Sequence, residues 1–146
     1  MNETYYSYET TFNPTILIIA GIIGLIQIIS LWKIFQKAGQ PGWAAIIPIY
    51  NTYIMIKISG KSGWWLLLLL IPLVNIVILI MLLYYFSKSF GQSGAFVLGL
   101  LFLSFIFYPI LAFGNAKYVG PYGNPAAFAA YQQHQFEFEQ NHGQSS

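Results

Sequence analysis

Serine and lysine side chains stand next to each other at two places in the chain, Lys61-Ser62 and Ser87-Lys88-Ser89. A serine nucleophile activated by a lysine base needs these residue types, but with both side chains converging on one point. Adjacent residues of a helix or turn point apart instead. We therefore predict no catalytic residues and no enzymatic activity.

Two histidines and two glutamates near the C-terminus are the other candidates for chemistry. His134 and His142 are eight residues apart in a chain without cysteine, which does not make up the ligand set of a zinc site. Glu137 and Glu139 alternate with phenylalanines in a polar tail, where general acid–base chemistry is not expected. We predict no metal and no cofactor.

The composition is typical of a membrane protein. Of the 146 residues, 57% are hydrophobic and 7% are charged, whereas a soluble chain carries roughly 25% charged residues. The net charge of +2 is too small for a nucleic-acid-binding surface. The expected partner is the lipid bilayer, and no nucleic acid.

Three stretches without charge are long enough to cross a bilayer: Pro14–Trp32, Trp64–Phe86 and Ala95–Phe113. As helices of 1.5 Å rise per residue they match a hydrocarbon core of about 30 Å. They predict spans at about residues 14–35, 64–86 and 95–113 within a membrane domain over residues 14–113. No basic residue precedes the first span, so we interpret it as a retained anchor rather than a signal peptide.

A fourth apolar stretch, Trp43–Ile56, is shorter and contains Pro48. Fourteen helical residues reach about 21 Å, which suits an interfacial or re-entrant helix over residues 43–58 better than a crossing. The predicted fold class is therefore all-α: an integral membrane bundle of three transmembrane helices plus one short interfacial or re-entrant helix.

The lysines favour one orientation. With three crossings, Lys88 lies alone on one side and five lysines share the other; a fourth crossing would divide them three and three. The positive-inside bias favours the first arrangement. It predicts an extracytoplasmic tail over residues 1–13 and a cytoplasmic tail over residues 114–146. The five are Lys33, Lys37, Lys57, Lys61 and Lys117.

Aromatic and basic side chains flank the inner connection, where indole rings and long lysine stems anchor helices at the headgroup boundary. The predicted interface anchors are Trp32, Trp43, Trp64, Trp65, Lys33, Lys37, Lys57 and Lys61.

Proline and neutral polar residues interrupt the apolar segments. Prolines break or bend helices, and nearby amides bind the carbonyls that they free. The polar residues either line a small site between helices or form ordinary interhelical hydrogen bonds. The predicted breaks and intramembrane contacts are at Pro48, Asn51, Pro72, Asn75, Pro109 and Gln27, together with Ser104.

A glycine pattern recurs along the chain. Gly39-Gln-Pro-Gly42-Trp43 is followed by Gly60-Lys-Ser-Gly63-Trp64 and, more faintly, by Gly91-Gln-Ser-Gly94-Ala95. The pattern indicates either a repeated structure or the turns that precede any membrane helix.

The tail after residue 113 is rich in Gly, Pro, Asn and Gln. We expect it to be mobile, with one short helix that begins at Asn124 as N-cap and Pro125 as first helical residue. Asn141-His142-Gly143 is its predicted end.

The run Gly39–Lys117, which contains GQPGWAAIIPIYNTY, GKSGWWLLLLLIPLVN and FIFYPILAFGNAKY in order, resembles a family of small, uncharacterised bacterial membrane proteins. Related segments form the N-terminal membrane region of some signal peptidase I proteins. The resemblance implies a multi-pass protein of the bacterial plasma membrane and carries no catalytic residues. Nothing after Phe113 is long enough for the β-rich peptidase domain.

These observations favour a structural or accessory membrane protein that binds a membrane-protein partner or further copies of itself, without catalysis. Two alternatives stay open: a small oligomeric channel or carrier built from the broken helices, and an accessory to signal-peptide processing, implied by the resemblance.

Overall fold

The computed structural model describes residues 13–144. Over these residues the fold is all-α, without strands. It comprises α1 (Pro14–Lys37), a short 3-10 helix (Gly42–Ile46), α2 (Pro48–Ile58), α3 (Trp65–Leu69), α4 (Val74–Ser89), α5 (Phe96–Phe102), α6 (Ser104–Phe113) and α7 (Pro125–Gly143). The predicted extracytoplasmic tail covers residues 1–13. Except for Asn13, it lies outside the described residues.

Helix α1 is the one helix within residues 13–144 that is both long and apolar enough to cross a membrane. Its 24 residues span about 36 Å at 1.5 Å per residue. The side-chain Oδ1 of Asn13 accepts a hydrogen bond from the backbone N–H of Thr15 at 3.0 Å and caps the first turn. The first predicted span is therefore a membrane-capable helix.

The second predicted span, residues 64–86, is not one straight helix. Helix α3 ends at Leu69 and α4 begins at Val74, because Pro72 has no N–H to continue the helix and its ring clashes with the carbonyl one turn earlier. The two helices fold back on each other. The ring centroids of Trp65 and Tyr85 are 6.2 Å apart, whereas a continuous helix would separate these residues by about 30 Å.

The third predicted span, residues 95–113, also folds back. Its break lies at Leu103, which has φ −127° and ψ 44°, between α5 and α6. The ring centroids of Phe96 and Phe107 are 5.0 Å apart. The Phe107 ring lies directly against Gly99, where a Cβ atom would collide with it. Glycine at this position therefore permits the two arms to approach.

The shorter apolar segment, predicted as an interfacial or re-entrant helix over residues 43–58, forms a third fold-back. The 3-10 helix and α2 meet at Ile47, and the rings of Trp43 and Tyr50 stack with centroids 5.2 Å apart. Across the connection, Asn51 Nδ2 donates to the Ala45 carbonyl at 3.3 Å. We name these units hairpin 1 (residues 42–58), hairpin 2 (65–89) and hairpin 3 (96–113).

Each hairpin is preceded by the same glycine turn. Gly39, Gly60 and Gly91 have φ of +73°, +84° and +71°, a left-handed conformation that glycine adopts without steric cost. Each follows a helix end and closes it with the hydrogen-bond pair typical of a glycine C-cap. For the first, Gly39 N–H donates to Gln36 at 3.0 Å and the next N–H donates to Phe35 at 2.8 Å; the other two repeat this spacing. The glycine pattern of the sequence is thus a repeated structure.

The second glycine of each turn lies against an aromatic ring of the preceding helix. Gly42 contacts the indole of Trp32, and at the equivalent positions Gly63 contacts Tyr53 and Gly94 contacts Tyr84. The same structural position is therefore occupied by tryptophan before the first turn and by tyrosine before the other two.

The buried core lies at the end of the molecule where the glycine turns meet. Buried residues concentrate in the C-terminal halves of α1, α2 and α4, whereas the hairpin tips and the N-terminal half of α1 expose apolar side chains. The fully buried large residues include Ile34, Phe35, Ile54, Ile56, Ile58, Leu82, Phe86, Phe90 and Leu111.

Candidate functional site at the lysine end

The C-terminal ends of α1, α2, α4 and α6 meet at one end of the molecule, which we call the lysine end. Lys37, Lys57 and Lys88 lie in the last turns of α1, α2 and α4. Lys33 Nζ lies 4.8 Å from the ring of Phe113 at the end of α6. The lysine end thus carries all six lysines, which include Lys61 and Lys117.

This placement corrects the predicted separation of Lys88 from the other lysines. Because hairpin 2 returns to the end from which it started, Lys61 before it and Lys88 after it lie together. Lys61 Nζ is 4.3 Å from the ring centroid of Tyr85, and Lys88 Nζ is 5.9 Å from that of Tyr84.

Lys37 ties α1 to the end of α6. Its ammonium donates to the carbonyls of Leu111 at 2.6 Å, Gly114 at 3.3 Å and Ala116 at 2.7 Å. Carbonyls at a helix C-terminus have no partner within the helix and carry a partial negative charge. Lys37, predicted as an interface anchor, therefore also stabilises the contact between α1 and hairpin 3.

Residues 114–124 form a segment that lies over the ends of α2 and α4; we call it the strap. Val119 N–H donates to the Ser89 carbonyl at 2.7 Å, and Gly123 N–H donates to the Ser59 carbonyl at 2.7 Å. Tyr118 Oη donates to the Ile58 carbonyl at 2.9 Å. The strap is thus bonded to the ends of two helices, whereas the sequence analysis expects a mobile tail.

Burial raises the pKa of the Tyr118 phenol, and the neighbouring Tyr131 adds to the shift. An ionised phenolate would lose hydration at this position and could no longer donate to Ile58. The strap is therefore held by the neutral form of Tyr118.

The helix predicted in the tail is present as α7, and it begins and ends where predicted. Asn124 Oδ1 accepts from the Ala127 N–H at 3.2 Å, and Pro125 is the first helical residue. The first half of α7 contacts the strap through the rings of Tyr131 and Tyr118, 5.3 Å apart. The second half, residues 132–143, is exposed.

Lys61 lies among aromatic rings at the junction of the hairpin 2 entrance and the strap. Besides Tyr85, its ammonium is 5.2 Å from the ring centroid of Trp65. The adjacent cavity of about 430 Å³ is lined also by Tyr122 and Phe128. Such contacts keep a cation at an interface with its stem on apolar surface. No pattern in the sequence indicates Tyr122, because the strap reaches this site only in the folded chain.

The four tryptophans all lie near the lysine end, in two different environments. Trp64 is 73% exposed and Trp43 50% exposed, as suits side chains that anchor in lipid headgroups. Trp32 and Trp65 are half-buried against Gly42 and Tyr85, where they also hold the hairpins in place.

The predicted intramembrane polar residues lie at the tips of different hairpins rather than in one site. Gln27 Nε2 donates to the Ser104 carbonyl at the tip of hairpin 3, at 3.3 Å. Asn51 bonds across the tip of hairpin 1. Asn75 is the second residue of α4, at the tip of hairpin 2, where its backbone N–H donates to the Ile71 carbonyl at 2.8 Å.

The three predicted proline breaks have different outcomes. Pro48 begins α2, and Pro72 lies in the connection between α3 and α4. Pro109 lies inside α6, which continues through it. The break of hairpin 3 is instead at Leu103, a residue type that normally favours helix.

Of the two serines beside Lys88, Ser89 has hydrogen-bond partners and Ser87 has none. Ser89 Oγ donates to the Tyr85 carbonyl at 2.8 Å and accepts from the Tyr122 N–H at 3.2 Å. Ser87 Oγ is buried and finds no hydrogen-bond partner within residues 13–144. In the same part of the chain, no group of three or more His, Asp or Glu residues could hold a metal ion.

A family model matches residues 43–121, more than half of the chain, and the family is described as one of unknown function, DUF5684. The matched residues begin in hairpin 1 and end in the strap. That description names neither a signal peptidase nor a bacterial source. No curated protein and no solved structure matches the chain.

Proposed function

Because the chain belongs to DUF5684, a family of unknown function, we propose a function from its own residues: an integral membrane protein with a structural or accessory role and no catalysis. The observation that carries this proposal is its surface. All six lysines lie at one end, and the surface of the hairpin tips and of the N-terminal half of α1 is dominated by exposed large apolar side chains, whereas the second half of α7 is polar and exposed. Exposure of so much apolar surface to water is unfavourable, whereas its contact with the hydrocarbon core of a bilayer is not.

The proposed topology has one crossing helix and three re-entrant hairpins. Helix α1 crosses, and hairpins 1 to 3 enter from the lysine end and return to it. The exposed apolar tips support this insertion: Leu73 is 88% exposed, Leu70 75%, and Ile49 and Phe102 each 73%. The alternative is the arrangement of three crossings predicted from the sequence, which requires hairpins 2 and 3 to open into straight helices.

The proposed location is the bacterial plasma membrane, with the N-terminus outside and the lysine end in the cytoplasm. The bacterial source comes from the sequence resemblance. The orientation follows from the positive-inside bias, because this topology places six lysines on one side of the membrane and none on the other. At the cytoplasmic surface, the lysines and tryptophans meet anionic headgroups.

Cysteine labelling separates the two topologies, since the chain has no native cysteine. Ser62 and Ser93 are exposed and occupy equivalent places in two glycine turns. In intact cells, a membrane-impermeant maleimide should label Tyr8→Cys but not Ser62→Cys, Ser93→Cys or Ser145→Cys. Labelling of Ser93→Cys together with Tyr8→Cys would instead establish three crossings and overturn the hairpin topology.

The accessory role is supported by the bare half of α1. Residues 14–26 are exposed almost throughout, and a Cβ atom added at Gly21 or Gly24 would meet nothing within 4 Å. Within the membrane this surface is available to a partner helix or to a second copy of the chain. Crosslinking in native membranes should therefore capture one dominant membrane-protein partner or a self-complex, and recovery of a clean monomer would contradict the proposal.

A small channel or carrier is the second candidate, because Asn51 and Asn75 occupy equivalent tip positions at mid-depth helix breaks, a place where transporters bind solutes. It predicts that Asn51→Leu and Asn75→Leu abolish solute flux in liposomes, whereas the accessory role predicts a change of stability alone.

An accessory role in signal-peptide processing is proposed from the sequence resemblance alone. It predicts that precursors of secreted proteins accumulate in a deletion strain. Normal processing in that strain would exclude the accessory role in signal-peptide processing.

A further inference from the structure

The hairpins occupy one half of the membrane thickness more than the other. The clearest depth marker is the contact between α1 and hairpin 3, where Gln27 binds the Ser104 carbonyl at 3.3 Å. Gln27 lies ten residues before the end of α1 at Lys37, a rise of about 15 Å. The tip of hairpin 3 therefore reaches about halfway through a hydrocarbon core of about 30 Å.

Hairpin 1 reaches a comparable depth, and hairpin 2 reaches deeper. Helix α2 has 11 residues and returns from the tip of hairpin 1 over about 16 Å. Helix α4 has 16 residues and returns from the tip of hairpin 2 over about 24 Å. Each tip is strongly exposed within the described chain, as are the apolar residues on either side of it.

Beyond the tips, α1 continues alone. The main neighbours of α1 in the described chain are the 3-10 helix and α6, both of which lie on its half nearest Lys37. Residues 14–26 of α1 carry exposed isoleucines and leucines on all sides. The membrane half near the lysines thus contains α1 and six hairpin arms, whereas the opposite half contains α1 and the tip of hairpin 2 only.

The strap adds further width at the lysine end. It is bonded to the ends of α2 and α4 through Gly123 and Val119, and α7 extends from it. The cross-section is therefore greatest at the headgroups beside the lysines and smallest at the opposite surface. A helix is about 10 Å across, so six extra arms displace lipid area of the order of 500 Å² in one leaflet.

We propose that this chain acts as a wedge that generates and senses membrane curvature, with the leaflet on the lysine side made convex. A protein that occupies more area in one leaflet than in the other expands that leaflet, and bending relieves the mismatch. The lysine contacts with anionic headgroups hold the wide end at the surface. This inference rests on the proposed hairpin topology, and it adds a mechanical function to it.

Curvature sorting in membrane tethers tests the proposal on the full chain. Ser62→Cys, which lies at the exposed lysine end, is labelled with a fluorophore and reconstituted into giant vesicles of phosphatidylcholine and phosphatidylglycerol. Reconstitution gives both orientations, and an impermeant quencher distinguishes them. Thin tethers are then pulled, and the fluorescence ratio of tether to vesicle is compared with that of a lipid dye.

Molecules with the lysine end on the outer, convex leaflet should be enriched in the tether by about twofold or more. Their wide end then lies in the leaflet that curvature expands, so the curved membrane is the favoured state for them. The enrichment should increase as the tether narrows. Molecules in the opposite orientation should be depleted; they are a matched control, because the same chain is measured in the same tether. Equal distribution of the two orientations, or enrichment of the inverted one, would overturn the wedge.

A failed wedge and a failed topology give different results. Impermeant labelling of the Ser62→Cys/Ser93→Cys double variant in the same vesicles reports the topology independently, because a molecule carries two labels only if both sites lie on one side of the membrane. If Ser62 and Ser93 are accessible in the same molecules but sorting is absent, the hairpin topology is supported and the curvature function is refuted. If the two cysteines are accessible in opposite orientations, the topology itself falls and the wedge with it.

Discussion

The side-chain amide of Gln27 donates a hydrogen bond to the backbone carbonyl of Ser104 at 3.3 Å. This bond joins the middle of α1 to the tip of hairpin 3. Ser104 begins α6 immediately after the break at Leu103. A carbonyl beside such a break needs a partner where water is absent, and Gln27 supplies it.

Replacing Gln27 with Leu should lower the free energy of unfolding by about 0.6 kcal/mol, the usual value of a hydrogen bond between membrane helices. The loss should be local, so hydrogen exchange at the α5–α6 connection should become faster. Gln36→Leu, an exposed residue of the same helix, is the matched control. Equal exchange rates in the two variants would mean that Gln27 does not hold the tip.

Ser87 and Ser89 are buried two residues apart in α4, and their hydroxyl groups have opposite energetic roles. Ser87 Oγ has no hydrogen-bond partner within residues 13–144, whereas Ser89 Oγ bonds Tyr85 and Tyr122. Ser87→Ala should therefore stabilise the protein and Ser89→Ala should destabilise it, each by about 1 kcal/mol. Thermal unfolding in detergent, followed by tryptophan fluorescence, measures both changes. A destabilised Ser87→Ala variant would show that this hydroxyl has a partner elsewhere.

Much of the fold can be predicted from residue types alone. The length and composition of α1, the Asn124 cap and Pro125 start of α7, and the repeated glycine turns are all local features that propensity and hydropathy capture. The all-α class follows from the same features.

The fold-back of the hairpins could not be predicted in this way. A run of 23 apolar residues has the same hydropathy whether it crosses once or turns back, and Pro72 is tolerated in a straight membrane helix as well. The decision rests on contacts between distant residues, such as Trp65 with Tyr85. The count of lysines did not indicate the hairpins either, because it compared only arrangements in which each apolar segment crosses the membrane. In hairpin 3 no proline or glycine marks the break at Leu103.

The candidate site was predicted only in part for the same reason. The tryptophans and lysines are visible in the sequence as interface residues. The cavity beside Lys61 needs Tyr122, which the strap brings there by bonding across the ends of α2 and α4. A segment rich in Gly and Pro gives no hydropathy signal of such packing.

Gly60 and Gly39 test whether the strap lies on the end of α2. Both have positive φ, so alanine at either position should cost about 1–2 kcal/mol of unfolding free energy. A Cβ at Gly39 would meet nothing within 4 Å, but at Gly60 it would lie 2.6 Å from the Pro121 carbonyl oxygen. Gly60→Ala should therefore lower the unfolding temperature clearly more than Gly39→Ala. Equal decreases in the two variants would place the strap elsewhere.

Tyr118 predicts a pH dependence at alkaline pH. Its pKa in the folded chain is raised, first by burial and then by Tyr131, above the value of about 10 that it has when unfolded. Its contribution to stability is therefore complete below about pH 10 and is lost as the pH rises towards the folded pKa, because the unfolded chain releases the proton first. The unfolding temperature should decrease over this range more steeply in the wild-type protein than in Tyr118→Phe.

The difference between the two proteins, rather than either curve alone, reports on Tyr118, because it cancels the contributions that the other side chains make to both curves. At neutral pH, Tyr118→Phe should already be about 1 kcal/mol less stable, since the hydrogen bond to Ile58 is lost. The two unfolding curves should then converge as the pH increases. Curves that stay parallel from neutral to alkaline pH would mean that this phenol is not buried beneath α7, and the strap would have to be placed away from the ends of α2 and α4.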